Sequence, residues 1–208
     1  MSTVSHLMKT TILGSINIGV YLNANNHFLL VPPNLRQKME PLIETLSSPD
    51  HKIEKIELTI NHSYLLGSYL CMNNKGIIVP SIVKDEELEV ITKNMKSKMK
   101  IGVIESQNNA FGNLVCANDH GAVISPLIKE KTNEIVDILG IESTVVLDIA
   151  KLNVPGSSMV ANTHGCLCHP LTHDRHIEAI QETMKVSADV STINCGNPYL
   201  RSGAVVND

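Results

Sequence analysis

An asparagine-headed turn recurs along the chain at a nearly constant interval, at Asn25, Asn73, Asn118, Asn162 and Asn207, in steps of 48, 45, 44 and 45 residues. A period of this size marks a repeat architecture, in which each copy is one supersecondary unit that buries its apolar face on its neighbours. The clearest copy spans residues 111–126, where two apolar runs, 114–117 and 122–124, flank Asn118-Asp119-His120-Gly121. Asparagine suits the first position of a tight turn because its side chain bonds the backbone two residues on, and glycine suits the fourth. Pro126 has no N–H to give to a ladder and ends the second strand. The same order appears at Asn73-Asn74-Lys75-Gly76, at Asn162-Thr163-His164-Gly165, and at Asn25-Asn26-His27-Phe28, where Phe28 replaces the turn glycine. A fifth copy begins at Gly203-Ala204-Val205-Val206-Asn207-Asp208, so the last repeat is truncated.

Between the hairpins the pattern changes period. Leu35, Met39, Leu42, Ile43 and Leu46 recur at helical spacing, which predicts a helix over 34–47 that Pro41 interrupts or kinks. Residues 53–60 alternate apolar and charged side chains, as a partly exposed strand does, and two further strand-like runs are expected within 10–22. Asp85-Glu86-Glu87 opens a second helix with Leu88, Val90, Ile91 and Met95 on its buried side, and residues 100–104 form the next strand. Ile135, Val136, Ile138 and Leu139 lie on a third helix that stops at Gly140, residues 144–147 are β-branched, and a fourth helix is expected to start at Thr172 as N-cap. Each full unit therefore reads strand, turn, strand, helix, strand. A four-stranded blade of the WD-repeat type fits poorly, because there is no Trp and each period gives a stretch to helix.

With 208 residues, 43% hydrophobic and 18% charged, the chain has ample material for a core, and the register argues for one domain rather than two. The net charge of −4 excludes a bulk basic field for nucleic acid. No apolar run approaches 18 residues and no signal-peptide pattern is present, so no membrane association is expected and a cytoplasmic location is. Of five cysteines, four fall in slots where sister copies carry small apolar residues: Cys71 and Cys116 match Val160 and Val205, Cys168 matches Val31, Val79 and Ile124, and Cys166 matches Leu29, Ile77 and Ala122. They are expected to be buried free thiols rather than a disulfide framework.

Five units of this order resemble the pentein fold, an α/β (α+β) β/α-propeller of five pseudo-symmetric strand-strand-helix-strand repeats. Several segments look like the translation initiation factor 6 family of archaea and eukaryotes: Gly-Ile-Ile-Val-Pro (76–80) with Asp85-Glu86-Glu87-Leu88, Ala-Phe-Gly-Asn (110–113) with Ala-Asn-Asp (117–119), and Gly-Cys-Leu-Cys-His-Pro-Leu-Thr (165–172). Val31-Pro32-Pro33, Thr192-Ile193-Asn194-Cys195-Gly196, Ser202-Gly203 and Val206-Asn207 extend the resemblance over residues 10–208. It implies a leader (1–9) and a single pentein domain (10–208), with repeats near 10–52, 53–99, 100–141, 142–188 and 189–208. It also implies a monomeric ribosome anti-association factor and not an enzyme, without cofactor, metal or small-molecule substrate. Such a factor binds the large ribosomal subunit at ribosomal proteins and rRNA near the sarcin–ricin loop, and it blocks joining of the small subunit sterically. In eukaryotes the family also acts in large-subunit maturation. Two departures stand out: Arg201 replaces the small residue that opens the other copies, and the chain lacks the family's last turn and strand. An N-terminal strand at 10–13 is the candidate to complete the fifth blade.

The rival reading is a guanidino-modifying hydrolase or transferase, since other penteins use a Cys nucleophile with His and acidic partners. Cys195 lies in the last unit, but His27, His120 and His164 share the third position of the turn and form no matching set. His169, His173 and His176 lie near Cys166 and Cys168, yet strand alternation points those cysteines away from His169, so no zinc site is expected. The residues that precede each hairpin are polar and differ between copies: Asn17; Asn61, His62 and Tyr64; Asn108, Asn109 and Asn113; Lys151, Asn153, Ser157 and Ser158; Asn197, Tyr199, Arg201 and Ser202. Equivalent loops of a closed ring gather at one end of its axis. The expected ribosome-binding set is Asn113, which matches the family's pattern, its equivalents Ser68, Ser157 and Ser202, and Asn109, Tyr64, Ser158 and Arg201.

Overall fold

Four of the five hairpins form, and each is preceded by a single helical turn that the apolar pattern does not announce. The computed structural model describes residues 7–35, 39–48 and 52–208; most of the expected leader, residues 1–6, lies outside them. The first unit runs α1 (Ile18–Tyr21), β1 (Asn23–Ala24), β2 (Phe28–Val31), α2 (Glu40–Leu46) and β3 (Glu54–Glu57). The second runs α3 (Leu66–Tyr69), β4 (Cys71–Met72), β5 (Gly76–Pro80), α4 (Asp85–Met95) and β6 (Lys100–Ile104). The third repeats the order as α5 (Phe111–Leu114), β7 (Val115–Ala117), β8 (Gly121–Ile124), α6 (Thr132–Leu139) and β9 (Ser143–Val146). The fourth does so as α7 (Pro155–Ser158), β10 (Met159–Ala161), β11 (Gly165–Cys168), α8 (Asp174–Met184) and β12 (Ser187–Val190). Only α9 (Leu200–Gly203) follows. Among the described residues the architecture is mixed α and β, with four separate three-stranded sheets.

In every sheet the second strand is central, antiparallel to the first and parallel to the third, so that Cys116 faces Val123 on one side and Val145 flanks Val123 on the other. This explains why the central strands read as unbroken apolar runs. Alternate side chains point to opposite faces, and both faces are buried. Phe28 and Leu30 enter one core while Leu29 and Val31 enter another, and Ile77 and Val79 part from Ile78 in the same way. Among the described residues four cores result, at the junctions of units one with two, two with three, three with four, and one with the fifth copy.

The short helices make a continuous ring, with α1 against α3, α3 against α5, α5 against α7, α7 against α9, and α9 back against α1. Glycine permits this approach. A Cβ on Gly112 would stand 2.0 Å from the carbonyl oxygen of Gly67, closer than any side chain allows. The turn asparagines join the units at the other end of the strands. The side-chain oxygen of Asn118 accepts the N–H groups of His120 and Gly121, both at 3.0 Å, closing its own turn. Its amide nitrogen donates to the carbonyls of Asn162 (3.1 Å) and Met184 (2.8 Å) in the next unit. Asn73 repeats both halves with Lys75, Gly76, Asn118 and Leu139, and Asn162 donates to Asn207. Asn25 donates to Asn73, and Asn207 reaches Leu46 at 2.7 Å, which joins the fifth copy to the first unit.

Several expectations are corrected. No strand forms within 10–17: Ile12 bridges only to Ser15, and α1 occupies the second run, so 10–13 does not complete a fifth sheet. Its hydrogen-bonding groups are used within its own tight turn. Helix α2 begins at Glu40, and Pro41 sits in its first turn, where a missing N–H leaves no bond unmade, rather than interrupting it; residues 36–38 lie outside the described residues. Helix α8 is capped at His173, because the Thr172 hydroxyl is donated to the carbonyl of His169. Leu114 belongs to α5, not to the strand.

Cys71, Cys116, Cys166 and Cys168 are buried free thiols and Cys195 is exposed. Burial pushes the Cys71 thiol up to about 12 despite the opposing guanidinium of Arg201. Thiol labelling of the native protein is expected to modify Cys195 fast and the other four only on unfolding; fast native labelling of Cys71 would contradict the packing. Asn118→Ala removes a turn cap and leaves two carbonyls of the next unit unpaired, and should cost about 2–4 kcal/mol in denaturant unfolding.

Candidate functional site

The strands of the four sheets run between two unlike ends of the ring. At the turn end, a second set of side chains follows the asparagines. The backbone N–H of Asn26 donates to Asn74, that of Asn74 to Asp119, that of Thr163 to Asp208 and that of Asp208 to Asn26, at 2.6–2.9 Å. Burial opposes ionisation of Asp208, but bonds from Thr163, Asn74 and Asn26 outweigh it and hold its carboxyl below the usual range. The carboxylates of Asp119 and Asp208 lie at this end with the ammonium of Lys75, which donates to the Asp119 carbonyl, and the polar groups here are satisfied by one another.

The opposite end is built from the loops that precede α1, α3, α5, α7 and α9. Four of these loops hold a tight turn: Ile12–Ser15, Ile60–Ser63, Ile149–Leu152 and Ile193–Asn197 pair as isolated bridges. The two residues after each isoleucine have positive φ, including Asn61 (51°) and His62 (61°), and Ala150 (55°) and Lys151 (64°). In the first three this is the geometry of a type I′ turn, and the fourth has one more left-handed residue, Gly196. Asparagine tolerates it, whereas Ala150 and Lys151 hold a conformation that their side chains disfavour.

Glu87 fixes the second of these loops. Its carboxylate accepts the N–H groups of Asn61 (2.7 Å) and His62 (2.9 Å), the hydroxyl of Thr59, and the N–H of its own helix cap, Lys84 (3.0 Å). Burial raises the carboxyl, but these four bonds prevail and hold it below the ordinary glutamate range. The loop that presents Tyr64 is thus anchored on α4.

The ring closes a cavity at this end. Ser68, Asn113, Ser157 and Ser202 line it together, with Asn17 and Arg201. The Ser157 hydroxyl donates to Asn113 Oδ1 at 3.0 Å, which leaves the Asn113 amide nitrogen free to face the cavity. Ser202 donates to the carbonyl of Tyr199 (2.6 Å) and accepts from Asn197 (3.3 Å). Tyr64 is 40% exposed beside its loop, and Asn109 is half-buried with an unpartnered side-chain oxygen. Two members of the expected set are placed differently. Ser158 is fully buried, because its position in the repeat is the inward side of the helical turn, the slot of Leu114. The guanidinium of Arg201 points inward and donates to Asn23 Oδ1 at 2.7 Å, so it does not stand on the outer surface.

Sequence reasoning missed an apolar rim apart from Tyr199. Leu13, Ile16, Leu65 and Tyr199 are exposed on the loops themselves. Leu127, whose carbonyl accepts from Asn108, and Leu171, beside Ala150 and Lys151, are exposed against them. Their signal was the presence of large apolar residues outside any helical or strand period. Exposed apolar residues grouped in this way mark an interaction surface. Cys195 lies in the loop before α9, whereas His27, His120 and His164 sit in the turns at the far end of the strands. Among the described residues no group of three or more His, Cys, Asp or Glu side chains could hold a metal ion, and no helix is long and apolar enough to cross a membrane.

Stability should carry the signature of Glu87. A carboxyl whose pKa is depressed on folding contributes fully above its unfolded value and loses that contribution as pH falls through the folded value. Wild type should therefore lose stability as the pH falls below the ordinary glutamate range. Glu87→Gln should be less stable at neutral pH and lose less on acidification, as read by urea unfolding at several pH values.

The eIF-6 family matches residues 7–208 of the chain. Translation initiation factor 6 of Staphylothermus marinus is 35% identical over 205 residues, covering 97% of this chain and 88% of that protein. The protein of the same name from Saccharolobus islandicus is 31% identical, covering 98% and 89%. Eukaryotic translation initiation factor 6 of Trypanosoma cruzi is 32% identical over 202 residues, covering 97% and 80%.

Proposed function

The chain belongs to the eIF-6 family, and from that premise we propose that it is a translation initiation factor that binds the large ribosomal subunit and keeps the small subunit from joining. In this reading residues 10–208 are a single pentein propeller, a cytoplasmic monomer, and the blocking is steric rather than catalytic. A part in large-subunit maturation belongs to the same reading. The binding face is the loop end of the ring, with Asn113 at its centre, Ser68, Ser157 and Ser202 beside it, and Tyr64 and Asn109 farther out.

The observation that carries this placement is the convergence of Ser68, Asn113, Ser157 and Ser202 on one cavity mouth. The apolar rim around it supports the reading, since an interface joins desolvated apolar contacts to a few oriented polar ones. Electrostatics also choose this end. Asp119 and Asp208 line the turn end, whereas the cavity at the loop end has no carboxylate among its described lining residues, and the nearby carboxylates of Glu87 and Asp148 are engaged by backbone N–H groups. An RNA-rich partner would be repelled by the first and not by the second. With only −4 overall, attraction to RNA is weak, and the salt dependence of binding should be shallow.

Co-sedimentation with purified large subunits, followed by a small-subunit joining assay, tests the proposal. Wild type should pellet with the large subunit and slow joining. Asn113→Ala leaves an interfacial partner unpaired, a loss of about 1–3 kcal/mol, so binding should weaken roughly 5- to 150-fold with the fold intact. If wild type neither pellets nor slows joining, the anti-association reading fails. Equal binding by both proteins would move the face elsewhere.

A further inference from the structure

Arg201 takes the position that Gly19, Gly67, Gly112 and Gly156 hold in the other copies. Where those glycines let neighbouring turns meet, its side chain is driven into the bore of the ring. One terminal nitrogen bonds Asn23 Oδ1 at 2.7 Å, while Nε is buried without a partner. Desolvation lowers its pKa, and the ionisable groups near enough to act on it are the thiols of Cys71 and Cys116, with no carboxylate among them. Burial holds the Cys71 thiol protonated, so it gives no countercharge, whereas the hydrogen bond from Cys166 and then the charge of Arg201 pull the Cys116 thiol down against its burial. An enclosed cation that keeps an unused donor and has no carboxylate beside it is costly.

The same residue lines the cavity at the loop end, which has a volume of about 340 Å³. Among the described residues Arg201 is the only charged one in that lining and no acidic one accompanies it. Neutral donors surround the mouth: the Ser68 hydroxyl, and the Asn113 amide nitrogen left over by the bond from Ser157. One buried guanidinium, hydroxyl and amide donors, and no competing carboxylate are the elements of an oxyanion site, and the planar guanidinium suits phosphate oxygens.

We propose that this cavity binds a phosphate group, seated on Arg201 and held at the mouth by Ser68 and Asn113. Arg201 supplies the charge and the two neutral side chains supply orientation. Asn23 holds the guanidinium from below, so the departures from the repeat at positions 23 and 201 serve one site. The proposal does not depend on ribosome binding, because the free protein should show it.

Calorimetric titration and thermal unfolding of the full chain would use inorganic phosphate as probe, against chloride at matched ionic strength. A short single-stranded RNA is the second probe. Phosphate should bind saturably and raise Tm more than chloride does. Arg201→Met, which keeps length and removes charge, should weaken phosphate binding about tenfold or more, the loss of a charge-assisted bond. Should that variant fail to fold, Asn113→Ala leaves the bore untouched and should weaken phosphate binding several-fold. Displacement of phosphate by the RNA, with the same dependence on Arg201, would support the site and identify the phosphate as one in a nucleic acid. Binding of phosphate without competition from RNA would support it as a site for the free ion. Equal effects of phosphate and chloride, or a phosphate titration unchanged in Arg201→Met or, where that variant cannot be made, in Asn113→Ala, would overturn the proposal. Sedimentation with ribosomal subunits is a separate measurement, so either idea can fail alone.

Discussion

The side-chain amide of the turn asparagine is the interaction on which the rest of the structure depends. One planar group does two jobs that a backbone cannot. Its oxygen closes the turn of its own unit, and its nitrogen reaches the carbonyls of the next, as Asn118 does with His120, Gly121, Asn162 and Met184. The hairpins are only two or three residues long on their first strand, and such a hairpin is marginal alone. Linking each turn to the next makes them mutually supporting. Because Asn25, Asn73 and Asn118 are buried, a lost bond there would leave polar groups unpaired in the interior.

The two ends of the ring are consequently unlike. The turn end uses its polar groups on itself, down to the carboxylate of Asp208, which takes bonds from Asn26, Asn74 and Thr163. The loop end keeps groups to spare, and its loops are held in left-handed turns that residues such as Ala150 and Lys151 do not favour. Strain of that kind persists where surrounding structure over-determines it. At Asn61 and His62 the determining group is the Glu87 carboxylate, so the acidic start of α4, which serves the helix dipole, also shapes the face opposite the turns.

The join between the fifth copy and the first unit is made by different means from the others. Arg201 replaces a glycine and Asn23 stands in a slot where other copies carry Cys71, Cys116, Val160 and Val205. Each departure alone is a misfit, a bulky cation in one case and a polar group in an apolar slot in the other. Together they make one hydrogen bond across the bore. Asn194 adds a bond to the carbonyl of Ile16, and the N–H of Asp208 one to Asn26. A ring is held at this join by side chains where strand pairing is lacking.

The 44–48 residue register, the hairpins, the central strands, α4 and the end of α6 at Gly140 were all legible in the sequence, because turn chemistry and apolar period are local properties. So were the burial of four cysteines, read from their slots, and the gathering of Ser68, Asn113, Ser157 and Ser202, which follows from equivalence by repeat. The one-turn helices were not legible: they are four residues long, too short for a period, and tertiary contact through Gly19, Gly67, Gly112 and Gly156 selects them. The runs within 10–22 look like strands, yet Ile12 finds its partner three residues away. Nor could the sequence say that Ser158 faces inward, that Glu87 holds a neighbouring loop, or that Arg201 enters the bore. Local sequence determined the unit and its repetition. Which side chains the assembled ring buries, pairs or leaves facing outward was decided only by tertiary structure, because those contacts join residues 25–180 positions apart whose proximity exists only once the units have packed.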